Sequence, residues 1–151
     1  MFSFFNKKPL FTPEQNEIVV NAIKDAEKHT SGEIRVFIES KCKFIDPLDR
    51  AKEIFAELKM DATIYRNAVL LYVALKDRQL AVFADKGIHE KEGEEKWREA
   101  VNIMIHHFNK ENYTDGISHC IKEIGEALQE HFPHDPSTNK NELPDEIIFG
   151  K

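Results

Sequence analysis

Ala68-Val69-Leu70-Leu71-Tyr72-Val73-Ala74-Leu75 is apolar from end to end. A half-exposed strand alternates polar and apolar residues, but this one has no polar face. It is therefore covered on both sides and is predicted as the central strand of a sheet with helices above and below. Lys76-Asp77-Arg78 follows as a short polar turn, and Gln79 to Ala84 is the return strand of a hairpin. Upstream, Glu33-Ile34-Arg35-Val36-Phe37-Ile38-Glu39 alternates. Ile34, Val36 and Ile38 are expected to face inward, with Glu33, Arg35 and Glu39 on a wetter face. Between these strands Asp46-Pro47 starts a helix with Leu48, Ala51, Ile54, Phe55 and Leu58 along one side. Strand, crossover helix and strand make a right-handed parallel unit, and the antiparallel hairpin makes the sheet mixed.

Other helices frame this centre. Thr12-Pro13-Glu14-Gln15 is a capping box with Pro at the first helical position, and Ile18, Val19, Ala22, Ile23 and Ala26 then recur at helical spacing. Asp85 to Glu95, with Gly87 and Gly93, reads as a charged loop. A helix after it carries Trp97, Ala100, Val101, Met104, Ile105 and Phe108, and a last one Ile117, Cys120, Ile121, Ile124, Leu128 and Phe132. The expected fold is α/β: a three-layer α/β/α sandwich around a small mixed sheet of three to four strands, any fourth coming from a connecting segment or the tail. Residues 1–11 form an N-terminal segment, 12–132 the domain and 133–151 a tail whose Leu143, Ile147, Ile148 and Phe149 pack back on the domain or pair with another chain.

The 151 residues suit one domain, and 21 Lys+Arg against 27 Asp+Glu give a net charge of −6. That balance argues against a nucleic-acid or anionic-membrane binder, since both need a basic face. It leaves cations and basic partners. Cys42 and Cys120 match no metal or redox spacing, and no segment is long enough to span a membrane or to serve as a secretory signal. The expected location is cytoplasmic.

The run from Arg66-Asn67-Ala68-Val69-Leu70 through Asp77-Arg78 to Gly87 resembles the TPM domain family, as do Gly32-Glu33-Ile34 at the first strand and Tyr113 with Gly116-Ile117 near the last helix. The resemblance covers about Thr12 to Phe132. One departure is Asp85-Lys86-Gly87-Ile88-His89, where the family has Gly-aromatic-Gly-hydrophobic-Glu; Glu94 looks like the acidic position near the following helix. The resemblance implies an α/β/α fold, divalent-cation binding and phosphatase activity, here in a stand-alone domain without signal or anchor.

Topology brings Glu33, Asp61, Arg66, Asn67 and Asp85 to one end of the sheet, with His89, Glu90, Glu92, Glu94 and Glu95 in the adjoining loop. Hard cations take several oxygen ligands, so Asp61, Asp85, Glu90 and Glu94, with carbonyls near Gly87 and Gly93, form the expected site for Ca²⁺, with Mg²⁺ or Zn²⁺ as alternatives. His89 beside Asp85 would suit Zn²⁺. The competing reading is a solvated acidic loop whose carboxylates favour the next helix N-terminus. His106, His107, His119, His131 and His134 show no ligand spacing and are expected at the surface or at helix ends. Three functions follow: a cation-binding module with a regulatory role, a metal-assisted phosphatase, or a partner-binding module without chemistry. In the second, Arg66 would hold a phosphoryl oxygen while Asp85 or Glu33 acts as base or nucleophile.

Overall fold

Thr12 opens the first helix with the expected box: its hydroxyl accepts the Gln15 N–H at 3.1 Å, and the Gln15 side chain accepts the Thr12 N–H at 2.9 Å. The computed structural model describes residues 10–44, 46–109, 113–136 and 143–150. Residues 1–9 of the expected N-terminal segment lie outside the described residues, as does the 137–142 part of the tail. In chain order the elements are α1 (Pro13–Glu27), β1 (Glu33–Glu39), α2 (Pro47–Glu57), β2 (Ala68–Ala74), β3 (Gln79–Ala84), α3 (Lys86–Glu92), α4 (Glu94–Asn109), α5 (Tyr113–His131) and β4 (Ile148–Phe149). The second helix is capped by Asp46, whose carboxylate accepts the Leu48 N–H at 2.9 Å.

The sheet order is β3-β2-β1-β4. Strands β1 and β2 run parallel with Glu33 opposite Ala68, β3 returns antiparallel with Val69 opposite Ala84, and β4 lies parallel to β1 with Phe37 opposite Ile148. All seven residues of β2 are buried, as its apolar sequence requires. The strands divide their side chains between two cores. Ile34, Val36, Ile38, Val69, Leu71 and Val73 meet α1, α4 and α5 on one face. Phe37, Leu70, Tyr72 and Ala81 meet Ala51, Ile54 and Phe55 of α2 on the other. This is the three-layer sandwich with a four-stranded mixed sheet.

The expected wet face of β1 is not wet. Glu33, Arg35 and Glu39 are only 3%, 8% and 5% exposed, because β4 closes the outer edge and α2 and the tail cover the face. The two carboxylates are met by groups from other segments. Arg50 of α2 reaches Glu39 through Nε at 3.0 Å and Nη2 at 3.1 Å, and the Tyr72 hydroxyl donates to the same carboxylate. Arg50 also lies over the Phe37 ring, 5.6 Å from its centroid. Burial, then the bond to Glu39, pushes the Tyr72 hydroxyl well above its usual range. Leu143 of the tail donates its N–H to Glu33 at 2.5 Å.

The Asp85–Glu95 stretch also differs from expectation, since Lys86–Glu92 is helical. The Asp85 carboxylate accepts the Lys86 N–H at 2.8 Å, its carbonyl accepts the His89 N–H at 2.9 Å, and Gly93, at φ 78°, ends the helix. Gly87 is required here: its N–H meets the Arg66 carbonyl at 2.9 Å, and a Cβ would sit 2.6 Å from that oxygen. The chain also clasps itself. The Phe132 carbonyl after α5 accepts the Ser31 N–H at 3.0 Å and the Thr30 hydroxyl, and the Phe11 and Phe149 rings meet edge-on at 6.0 Å. Among the described residues no helix is long and apolar enough to cross a membrane.

Candidate metal centre

The parallel pairing of β1 with β2 and the antiparallel return of β3 place the starts of the first two beside the end of the third. The Glu33 N–H meets the Asn67 carbonyl at 3.4 Å, and the Asp85 N–H meets the Ala68 carbonyl at 2.9 Å. Arg66, in the left-handed region at φ 52°, turns its guanidinium onto Asp85 with Nε 2.6 Å from Oδ2 and Nη2 2.8 Å from Oδ1. Those bonds, with the charges of Asp85 and Asp61, raise the Arg66 pKa further. Asp85 is buried, so its charge is neutralised by a fork-on-fork pair. Asn67 is wholly buried; its backbone N–H donates to the Thr63 hydroxyl and its side-chain amide to the Ser31 hydroxyl, both at 3.4 Å.

A second acidic cluster lies behind Glu33. The Glu27 carboxylate accepts the Ile34 N–H at 2.7 Å. Burial, then its bond with Asp145 and the charge of Glu33, pushes this carboxyl up to about 10.

The expected ligands are thus only partly brought together. Asp85 joins Arg66, and Asp61 adds its field. Asp61, His89 and Glu90 are exposed, and the Glu94 side chain lies outside the described residues. Among the described residues, the group of three His, Cys, Asp or Glu side chains with ligand atoms all within 4.8 Å of one another is Glu92, Glu130 and His131. Glu92 ends α3, and Glu130 and His131 end α5. His131 Nε2 lies 2.6 Å from Glu92 Oε2. Both side chains are part-buried, while Glu130 is exposed. The group stands at the same end of the sheet, because Phe132 is hydrogen-bonded to Ser31 ahead of β1 and its ring is 6.2 Å from that of Tyr65.

His131 ends its helix as expected, but sequence reasoning does not bring it to Glu92, because the two are 39 positions apart and Asp85–Glu95 reads as a loop. The usable signal was Gly93, which stops a short helix directly after Glu92. An imidazole nitrogen with two carboxylates is a mixed nitrogen–oxygen donor set. It fits Zn²⁺ or a similar first-row ion better than Ca²⁺, which prefers six to eight oxygens. Three protein ligands also leave room for water.

An α/β/α sandwich with a mixed sheet and a charged sheet end is the class that fold and site define. The sequence pattern of the TPM domain matches residues 5–127, and the chain belongs to that family. The BA42 protein of the psychrophilic bacterium Bizionia argentinensis sp. nov., solved by NMR, is 38% identical, with 97% of this chain and 99% of that one covered and a TM-score of 0.87. The N-terminal domain of the cg2496 protein from Corynebacterium glutamicum shares the fold, at 13% identity and a TM-score of 0.63 over 79% of this chain and 74% of that one. No curated protein matches the sequence.

Proposed function

We propose that this TPM domain is a divalent-cation-binding module whose ion joins the end of α3 to the end of α5 through Glu92, Glu130 and His131. The observation that carries the reading is the approach of three ligand atoms from two helices to within 4.8 Å of one another. The cation need at Asp85 is already met by Arg66, so the reading rests on this group rather than on Asp61, Asp85, Glu90 and Glu94. With no ion present, the His131–Glu92 hydrogen bond holds the same two helix ends, and an ion would compete with the proton on that imidazole. The role is regulatory: the ion stiffens the α3–α5 contact, and through Phe132 the start of β1. The free thiols Cys42 and Cys120 support a reducing, cytoplasmic setting.

The test is thermal melting of the whole chain with EDTA, Zn²⁺, Mn²⁺, Mg²⁺ and Ca²⁺, together with the His131 ring signals by NMR. An ion at a hundredfold excess over its Kd stabilises the native state by about 2.7 kcal/mol. Glu92→Gln with His131→Gln should abolish the gain and the ring shifts. Melting that is the same in all five conditions removes the proposal. Ca²⁺ shifts confined to the amides of 59–66 and 85–95, with His131 unmoved, would transfer the site to Asp61 and Asp85.

A further inference from the structure

The sheet's outer strand β3 is paired on one side only among the described residues. Edge strands are normally blunted by charge, Pro or a bulge, because an open row of backbone donors and acceptors recruits other chains. Gln79-Leu80-Ala81-Val82-Phe83-Ala84 has no charge, Pro or Gly. A groove of about 560 Å³ runs along it, walled by Pro47 and Leu48 at the start of α2 and by Trp97 and Val101 of α4.

The charge of the lining says what fits there. In a chain of net charge −6 the groove presents Lys52 and Lys86, with Arg98 beside them already 3.8 Å from the Glu95 carboxylate. Of its two carboxylates, Asp85 is neutralised by Arg66, and Asp46 caps α2 through the Leu48 N–H. Trp97 in the wall is 5% exposed and its indole nitrogen has almost no accessible surface, so it reports on an occupant of the groove without bonding to it.

We infer that the β3 edge is a docking site for an extended acidic segment of a partner protein, which adds a fifth strand beside β3 and sets its carboxylates against Lys52 and Lys86. Main-chain hydrogen bonds supply the affinity, and the cationic rim selects the charge. The surface is separate from the Glu92–Glu130–His131 group, so neither proposal depends on the other.

Trp97 is the sole tryptophan, so its fluorescence and indole N–H signal report on the groove directly. The probe is a short capped peptide of alternating Val and Glu, added to the whole ¹⁵N-labelled chain. Its counterparts are a Val–Lys peptide and a Val–Glu peptide N-methylated at alternate residues. The Val–Glu peptide should shift the Trp97 indole and the 79–84 amides, and Lys52→Glu with Lys86→Glu should weaken it by about tenfold or more. Failure of the Val–Glu peptide to move either set of signals overturns the inference. Equal binding of the Val–Lys peptide refutes the charge selection, and equal binding of the N-methylated one refutes strand addition. Shifts at 79–84 that grow with protein concentration alone would assign the edge to a second copy of this chain and also overturn it.

Discussion

Glu27→Gln should make the protein more stable at neutral pH, and the gain should vanish in acid. The Glu27 carboxyl has an ordinary value of 4.5 and is pushed up to about 10 by burial, with Asp145 and Glu33 adding to the effect. Below pH 4.5 the carboxyl is protonated whether the chain is folded or not, and folding incurs no penalty there. Between pH 4.5 and 10 the native state holds a proton that the unfolded chain has released. Native stability therefore falls with rising pH across that window, by about 1.4 kcal/mol per pH unit. At pH 7, two and a half units above 4.5, the penalty is about 3 kcal/mol. Glutamine keeps an oxygen for the Ile34 N–H and offers an N–H to Asp145, so it imitates the protonated acid without needing a proton. Urea unfolding of both proteins at pH 4, 5.5, 7 and 8.5 reads the difference, which at pH 7 corresponds to a Tm rise of about 6–12 °C. A difference that does not change with pH would show that Glu27 is charged in the native state.

Gly87→Ala should cost about 2 kcal/mol, since the new Cβ would lie 2.6 Å from the Arg66 carbonyl. Urea unfolding checks this, and a loss below about 0.5 kcal/mol would mean that α3 shifts without strain. Tyr72→Phe removes a hydroxyl donor from Glu39 while Arg50 still holds that carboxylate, so the expected loss is about 1–2 kcal/mol. An unchanged melting curve would show that the hydroxyl contributes nothing net. The Cys120 thiol is wholly enclosed and burial pushes it up to about 12, so a disulfide reagent should modify the half-exposed Cys42 first and Cys120 only on unfolding. Equal native labelling rates would contradict the packing of α5.

Burial on both faces is written into Ala68–Ala74, whose lack of any polar position fixes β2 at the centre, and the capping chemistry at Thr12 and Asp46 marks the first two helix starts. What escaped the sequence depends on tertiary partners. Alternation at Glu33, Arg35 and Glu39 normally signals solvent, but Arg50, Tyr72 and Leu143 come from distant segments to meet two of these charges. Strand β4 is two residues long, too short for periodicity to reveal. The convergence of Glu33, Asn67, Arg66 and Asp85 was legible because it follows from strand direction alone. The meeting of Glu92 with His131 was not, because it requires α3 to be a helix. That helix exists because Gly87 fits against the backbone of Tyr65 and Arg66.

The edge-on contact between Phe11 and Phe149 means that the two ends of the described fold are neighbours in space. Seen this way the domain is a ring with one link missing, and the place where the chain happens to be cut is arbitrary. A short flexible linker from beyond Phe149 to Leu10, with new ends opened between Asp77 and Arg78 at the exposed hairpin tip, would preserve all three strand pairings. Strand β4 would then be tethered directly to the start of α1, bringing the latest-joined edge of the sheet next to its earliest helix. The architecture belongs to the set of contacts, and the linear order of the sequence is one of several ways to string them.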